Sequence, residues 1–282
     1  MFDLIYRYDP AHPAGRRAPA DADEACRRLE DGNRLFASTA INVMDGFRIV
    51  PVDLEDIGVS ALGGVLEHSP FAAVLGCSDA RAPTELIFDC ACNELFVVRV
   101  AGNVLGHAPL GSIGYAVDHF GDDLKAVVVL GHSGCGAVTA AVDAYVNPVG
   151  YLALSSAHQL RGIVDAVIPA VRGAARSLTL AWGDDVESTP GYRAALVEAS
   201  VVVNAALAAH ILVDAFGAGP GGRRVVFGIY DLATRRVHVP TSPDPAGGPV
   251  VGLVDAPRTE EEFVRFAAQV AKSGHVRRRL GR

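Results

Sequence analysis

Four short apolar runs along the chain lack the polar alternation of a half-buried strand. They are FAAVL from Phe71, LFVVRV from Leu95, AVVVL from Ala126 and RVVFGIY from Arg224. Runs of this length with apolar residues at consecutive positions are typical of strands that are buried on both faces. Because strands of that kind occur in parallel sheets covered by helices, the pattern predicts a parallel sheet.

Segments with helical spacing separate these runs. The clearest cover residues 113–120, 137–145 and 194–216. A chain that alternates strands and helices in this way folds as a layered α/β domain. The predicted fold class is therefore α/β, with a central, mainly parallel β-sheet flanked by helices; residues 147–192 mix helical pattern with chain breakers, and no role is assigned to them.

The two ends of the chain differ from this central part. Residues 1–20 contain Pro10, Pro13 and Pro19 without sustained apolar spacing, which predicts an extended N-terminal arm rather than a packed element. Residues 21–245 are predicted to form the main domain, and residues 246–282 a C-terminal extension.

Each flanking helix shows a capping signal. Asp21 with Glu24, and Thr259 with Glu262, match the capping box at a helix start. The first helix then has an apolar face that needs a surface to pack against, formed by Ala22, Ala25, Cys26, Leu29 and Phe36. The last helix is followed by the basic residues 277–279, which are predicted to be a solvated tail.

Composition narrows the possible functions. The 282 residues are 50% hydrophobic and 20% charged, enough to bury one large core. A net charge of -7 gives no general attraction for nucleic acid. Charged residues interrupt the N-terminal segment, and no later stretch is judged to approach a membrane span, so a soluble cytoplasmic protein is expected. The five cysteines suggest free thiols or metal ligation rather than a disulfide framework.

Two of the predicted strands are followed by residues that bind metals. Cys77 and His132 each follow an apolar run by one glycine, and Cys135 comes three residues after His132. Because functional groups collect at the carboxyl ends of parallel strands, we expect these three side chains to meet. Two sulfurs and one nitrogen suit zinc, and three protein ligands leave a fourth position for water. Zinc lowers the pKa of that water to about 7, which favours a hydratase or hydrolase.

Asp79 and Arg81 follow Cys77 at alternate positions, in the segment CSDAR. In an extended chain they project to the same side as the cysteine. An arginine can hold a carboxylate with two parallel hydrogen bonds and keep it ionised. Such a carboxylate can accept a hydrogen bond from zinc-bound hydroxide, which predicts a catalytic role for the pair.

These motifs resemble those of the β-carbonic anhydrases, C-x-D-x-R followed by H-x-x-C, which read here CSDAR and HSGC. Other segments similar to the family are EDGNRLF, APTELIFD, LFVVRVAGN, GSIGYAV and GIYDLATRRV. The resemblance covers roughly residues 21–239. It implies reversible hydration of carbon dioxide to bicarbonate by zinc-bound hydroxide, with one zinc ion per subunit on Cys77, His132 and Cys135, Asp79 orienting the hydroxide and Arg81 fixing Asp79.

The resemblance also implies a homodimer or a dimer of dimers, in which the first helices reach across to the neighbouring subunit. It implies a substrate pocket formed by His68, Phe96, Ala101, Tyr115 and Gly136. The chain departs from the family pattern at His68, where glutamine is usual, at Val100, where asparagine is usual, and at Gly114, where glutamate is usual. Cys90 and Cys92 also differ from the family and are expected to pack as small hydrophobic residues.

Two other functions remain open on the sequence alone. The same zinc hydroxide could act on a sulfur analogue of carbon dioxide, such as carbonyl sulfide or carbon disulfide. Alternatively, the changes at His68, Val100 and Gly114 could mark a zinc-stabilised protein without catalysis, although the intact Asp79 and Arg81 argue against it. A cysteine nucleophile is excluded because the spacing does not match a phosphatase loop.

Overall fold

The computed structural model describes residues 2–11, 15–39, 46–54, 57–59, 63–147, 149, 151, 158–217, 222–243 and 250–282. The predicted boundary between the main domain and the C-terminal extension, at residues 245 and 246, lies outside the described residues.

Strands and helices alternate through the centre of the chain, as predicted. The described strands are β1 (Phe2–Tyr8), β2 (Gly46–Val52), β3 (Ala72–Gly76), β4 (Leu95–Arg99), β5 (Ala126–His132), β6 (Arg224–Tyr230), β7 (Val237–Val239), β8 (Val250–Val251) and β9 (Val254–Asp255). The described helices are α1 (Ala22–Thr39), α2 (Thr84–Ile87), α3 (His107–Phe120), α4 (Gly136–Val146), α5 (His158–Trp182), α6 (Tyr192–Phe216), α7 (Glu260–Ala271) and α8 (Gly274–Leu280).

The main sheet has the strand order β4-β3-β5-β6-β7-β8, with β9 paired to β6. The pairs β3–β4, β3–β5 and β5–β6 are parallel, while β7 and β9 run antiparallel to β6. All four apolar runs of the sequence form the parallel part. The prediction of an α/β fold with a mainly parallel sheet is thus confirmed.

Alternate residues of the strands divide the core between the two faces of the sheet. One face, with Val127, Val129 and Phe227, packs against α3 to α6. The opposite face, with Val74 and Val128, packs against α1 and α2. Both faces of the sheet are therefore buried, which explains why the strands do not alternate between apolar and polar residues.

The first helix does not need a second subunit to bury its apolar face. Leu29 is completely buried, and Phe36 lies 6.4 Å, centroid to centroid, from Tyr230 of the same chain. The sheet face that α1 covers belongs to its own chain, so the missing surface is found there. The expectation that the first helices also reach across to a neighbouring subunit stays a prediction. The capping signal is confirmed, since the Glu24 amide donates to Asp21 Oδ1 at 2.7 Å.

The N-terminal arm is extended, but it is also paired. Strand β1 forms a parallel two-stranded sheet with β2, in register from Phe2 opposite Gly46 to Tyr8 opposite Val52. Arg16 then anchors the following segment, because its Nη1 donates to Asp89 O at 2.8 Å and to Glu94 Oε2 at 3.2 Å. The prediction of an arm without packed structure is corrected by these contacts.

Helix α6 is long and apolar enough to cross a membrane by length and composition. This corrects the expectation that no stretch approaches a span. However, 72% of its most apolar window is buried inside the protein. It packs against α5 and against β5 and β6. Its apolar composition is therefore explained by its position as the central core helix of the domain.

The C-terminal residues form two capped helices. Thr259 Oγ1 accepts from the Glu262 amide at 3.1 Å, as the capping signal predicts, and Ser273 Oγ accepts from the Val276 amide at 3.3 Å. Residues 277–279 are exposed, as the expected solvated tail predicts, but they belong to α8, which packs against α6, and so are not an unstructured tail. Arg279 Nη2 lies 3.1 Å from Glu198 Oε1, a mostly buried carboxylate on α6.

Candidate metal centre

The ends of β3 and β5 bring the first two candidate ligands together. The strands are parallel neighbours with Gly76 opposite Leu130, so Cys77 and His132 leave the sheet at the same edge. Close packing at this edge depends on Gly131. A Cβ at this position would lie 2.9 Å from Ile229 Cδ1 and 3.4 Å from Ala205 Cβ.

Cys77, His132 and Cys135, the metal cluster, converge as predicted. Their ligand atoms all lie within 4.8 Å of one another, and all three residues are buried. The two sulfurs are 4.0 Å apart. Tetrahedral zinc with Zn–S bonds of about 2.3 Å sets two sulfurs about 3.8 Å apart, so the spacing fits this metal.

The imidazole of His132 presents one nitrogen to the cluster. Its Nδ1 lies 3.0 Å from Ser133 O, which makes Nδ1 the protonated nitrogen because a carbonyl oxygen can only accept. The Nε2 atom is buried and has no hydrogen-bond partner within the described part of the chain. A metal-binding histidine usually shows this arrangement, with the far N–H held by a carbonyl and the near nitrogen free to ligate.

The two thiols also favour a cation between them. The contact with Cys135 lowers the pKa of Cys77, because the neighbouring thiol can donate to the Cys77 thiolate. The same contact, together with burial, raises the pKa of Cys135. A second thiolate so close to the first requires positive charge, which a divalent metal ion supplies.

The turn after β4 supplies a hydrogen bond to the first cysteine. The Gly102 amide donates to Cys77 Sγ at 3.3 Å. Gly102 has φ +69°, and a Cβ there would lie 3.0 Å from the Ala137 Cβ, so both the conformation and the space favour glycine. Arg99 Nε donates to Cys77 O at 2.9 Å and thereby holds the cysteine backbone against the end of β4.

Asp79 and Arg81 form the predicted pair. Arg81 Nε and its backbone amide donate to Asp79 Oδ1 at 3.0 and 2.9 Å, and Arg81 Nη2 donates to Asp79 Oδ2 at 2.7 Å. These bonds hold the pKa of Asp79 well below its ordinary value. Asp79 Oδ2 also lies 3.9 Å from His132 Nε2, so this oxygen faces the metal cluster.

The candidate pocket residues fall into two groups. Ala101 precedes Gly102 in the turn beside Cys77, and Gly136 directly follows Cys135 at the start of α4. Phe96, in contrast, lies opposite Ala73, four residues before Cys77 along the neighbouring strand. At about 3.3 Å per residue, this separates Phe96 from the cluster by about 13 Å along the sheet.

The second group forms a cluster of its own, the aromatic patch. It consists of His68, Phe96, Tyr115, His119 and Phe120. His68 stacks on Phe96 with ring centroids 6.0 Å apart, and Tyr115 stacks on His119 at 5.0 Å. Tyr115 is 55% exposed. Within one chain, the structure does not bring His68, Phe96 and Tyr115 to the metal cluster.

The departures from the family pattern have local explanations in part. A side chain on Gly114 would lie 3.3 Å from the Phe216 ring, so the glycine makes room for the end of α6. Val100 continues the edge of the sheet, because its amide donates to Gly76 O at 3.0 Å. Among the described residues, Cys90 and Cys92 take no part in a metal-binding group. Cys90 packs against the core, as expected, and burial raises its pKa to about 12. Cys92 is exposed, so the expectation that it packs as a small hydrophobic residue is wrong.

Sequence reasoning missed the residues that support the ligands through backbone atoms. Gly102 acts through its backbone amide and Ser133 through its carbonyl, while Arg99 donates to backbone carbonyls. These roles leave no pattern of reactive side chains in the sequence. Asn204 was also missed, although it offered a signal. It is the single carboxamide in the apolar stretch 194–216, where a polar side chain needs a partner.

The family model and two curated proteins that match this chain are described as carbonic anhydrases. The family model described as carbonic anhydrase matches residues 72–235, more than half of the chain. Carbonic anhydrase 2 of Mycobacterium tuberculosis is 44% identical over 107 residues, 37% of this chain and 47% of that protein. The carbonic anhydrase of Mycolicibacterium smegmatis is 42% identical over 105 residues, 36% and 46% of the two chains. The chain thus spans about half the length of the curated relatives it matches.

Solved structures similar to the chain bear related names. The β-carbonic anhydrase CafA of Aspergillus fumigatus has a TM-score of 0.45 at 22% identity, and the match covers 71% of this chain and 82% of the CafA chain. A Coccomyxa β-carbonic anhydrase in complex with acetazolamide has a TM-score of 0.44 at 22% identity, over 67% and 76% of the two chains. By the match of the family model over residues 72–235, this chain belongs to the β-class carbonic anhydrase family.

Proposed function

We propose that the protein catalyses the zinc-dependent, reversible hydration of carbon dioxide, in which carbon dioxide and water give bicarbonate and a proton. The observation that carries the proposal is the buried metal cluster with an arginine-held carboxylate facing it. A structural zinc site is closed by four protein ligands, whereas a catalytic site has three and a free position. The cluster offers three ligands, and Asp79 is engaged by Arg81.

In this proposal Cys77, His132 and Cys135 hold one zinc ion per subunit. When bound, zinc lowers the pKa of a coordinated water to about 7 and so makes a nucleophile available at neutral pH. Ser133 O orients the His132 ring through Nδ1, and the Gly102 amide stabilises the Cys77 thiolate. These contacts fix the ligands before the metal arrives, which reduces the cost of binding it.

Asp79 acts through the oxygen that faces the metal cluster. Its Oδ1 is occupied by two bonds from Arg81, while Oδ2 accepts one and keeps a lone pair available. Because its pKa is held low, the carboxylate is ionised at neutral pH and can accept a hydrogen bond but not donate one. It therefore selects and orients a nucleophile that still carries a proton.

We further propose that a second copy of the chain completes the pocket. The aromatic patch has exposed rings but lies about 13 Å along the sheet from the cluster of its own chain. A homodimer, or a dimer of dimers, could place one copy's patch against the other copy's cluster. A cytoplasmic location is also proposed, in keeping with five cysteines that are all free thiols.

The test is stopped-flow hydration of carbon dioxide by the full chain in three states: zinc-loaded, stripped by a chelator, and reloaded. We expect activity to follow zinc content, to vanish on stripping and to return on reloading. Activity that survives complete zinc removal would overturn the proposal.

The same samples, assayed with carbonyl sulfide and carbon disulfide, separate the alternatives. Turnover of a sulfur substrate without hydration of carbon dioxide would replace the proposed reaction by hydrolysis of the analogue. Zinc-loaded protein that is inactive on all three substrates would instead indicate a non-catalytic zinc protein.

A further inference from the structure

Asn204 is a polar side chain in an apolar environment. It lies in the middle of α6, is only 5% exposed, and is followed by Ala205 and Ala206, which are completely buried. Burying an amide without a hydrogen bond destabilises the folded state, because its hydrogen bonds to water are lost and not replaced. A carboxamide at this position therefore needs a hydrogen-bond partner.

That partner is the turn beside the metal cluster. Asn204 Nδ2 donates to Gly102 O at 2.9 Å, across a sequence separation of 102 residues. The orientation of the carboxamide follows from the acceptor, because a carbonyl oxygen can pair only with the NH₂ group. The bond is buried, so water does not compete with it.

Gly102 connects this bond to the candidate zinc ligand. Its carbonyl receives the bond from Asn204, and its own amide donates to Cys77 Sγ at 3.3 Å. Both groups are attached to one Cα, and glycine is free to rotate about both backbone angles. Fixing the carbonyl therefore limits the rotation that would turn the amide away from the sulfur.

We propose that Asn204 is a positioning residue for the zinc site, acting through Gly102 on the Cys77 thiolate. The inference rests on the proposed zinc function and extends it to a residue of the core helix. An amide hydrogen bond withdraws charge from a thiolate, so its loss alters both the affinity of the sulfur for metal and the electronic character of the metal–sulfur bond.

The helix provides a matched control one turn earlier. Ser200 is completely buried, and its Oγ has no hydrogen-bond partner in the part of the chain that the structure describes. It is a small polar residue of the same helix at the i−4 position, without a bond to the turn at Gly102. Ser200→Ala therefore alters polarity inside α6 without touching the path to Cys77.

The experiment compares wild type, Asn204→Ala and Ser200→Ala, with Asn204→Leu as a second variant that fills the space. Each full-length protein is titrated with zinc against a chelator and loaded with cobalt for absorption spectroscopy. We expect the Asn204 variants to bind zinc about 10- to 100-fold more weakly and to shift the thiolate-to-cobalt charge-transfer band. Ser200→Ala should change neither measurement.

Thermal unfolding of the metal-free proteins shows which variants are folded under the conditions of the metal titration. Folded Asn204 variants with wild-type zinc affinity and an unchanged cobalt band would overturn the inference, whatever their melting temperature. Wild type that binds neither zinc nor cobalt through thiolates would instead overturn the proposed function itself. If Asn204→Ala does not fold, the same readouts on Asn204→Leu decide.

Discussion

The metal cluster and the aromatic patch lie at different positions along the same sheet and are stabilised in different ways. The cluster is buried, and its residues are held by backbone donors and acceptors, such as the Gly102 amide on Cys77 and Ser133 O on His132. The patch is held by contacts between rings, and Tyr115 is more exposed than buried. One region is complete within a single chain; the other has a surface still available for contact.

This difference indicates which properties belong to one chain and which require another. Metal binding needs only groups that the fold of one chain brings together, because the sheet edge supplies two ligands and the residue before α4 supplies the third. Enclosure of the substrate needs apolar walls, and the aromatic walls lie elsewhere in the same chain. Changes in the two regions should therefore have separable effects on metal content and on assembly.

The largest effect is expected from Cys135→Ser, which removes one of three ligands. Zinc content should fall far below one per chain, and hydration of carbon dioxide should drop to the uncatalysed rate, because a serine hydroxyl does not ionise to replace a thiolate at neutral pH. Metal analysis and stopped-flow assay measure both. Cys92→Ser, at an exposed cysteine, is the control and should retain both properties.

A smaller effect is expected from Arg81→Gln, which removes the guanidinium bonds to Asp79 and leaves the metal ligands in place. The pKa of Asp79 is depressed mainly by these bonds, so it should rise toward the ordinary value. On acidification, activity that needs the carboxylate should then be lost at a higher pH than in wild type. The pH–rate profile tests this, with a drop of about 10- to 100-fold at neutral pH; coincident acid limbs would contradict it.

Tyr115→Arg changes the aromatic patch and should affect assembly rather than metal content. A charge in an exposed apolar contact opposes its burial between two copies. Sedimentation velocity should show a shift toward monomer, with zinc still bound at one per chain. Val264→Arg is matched in exposure, at 59%, and lies on α7; it should leave the assembly unchanged. Equal sedimentation of both variants would rule out the patch as an interface.

The smallest effect is expected from Glu198→Gln, remote from the Asp79–Arg81 pair. Burial opposes the charge on Glu198, but the hydrogen bond to His275 at 3.1 Å and the positive charges of His275 and Arg279 together outweigh it and lower the pKa of Glu198. Because the pKa of Glu198 is lower in the folded state, its carboxylate stabilises the fold at every pH above the pKa of the unfolded state, near 4.5. This contribution is lost as the pH falls through the pKa of the folded state. Unfolding in urea at neutral pH should show a loss of about 1–2 kcal/mol.

The exposed pair of Glu261 with Arg265 provides the control for that measurement. Glu261→Gln should cost less than about 0.5 kcal/mol, because exposed ion pairs within one helix contribute little. Equal losses in the two variants would show that the contact between α8 and α6 adds no stability beyond that of a surface pair.

Features set by local pattern were predictable from the sequence. The parallel strands were evident because both of their faces are buried. The metal cluster was evident because two ligands follow predicted strands and the third comes three residues after the second. The helix at residues 277–279 was not, since its contact with Glu198 joins residues 81 positions apart in the sequence. The surface covered by α1 and the bond from Asn204 to Gly102 were also hidden, because both join distant parts of the chain.

The most direct test of the catalytic zinc site is stopped-flow hydration of carbon dioxide by zinc-loaded wild type beside Asp79→Asn, with zinc quantified in both. Asparagine keeps the shape but replaces one acceptor oxygen by a donor group. The predicted result is fast turnover in wild type and a loss of at least about 100-fold in the variant at equal zinc content. Equal rates at equal zinc content would contradict the role assigned to Asp79, and zinc-loaded but inactive wild type would contradict the proposed reaction.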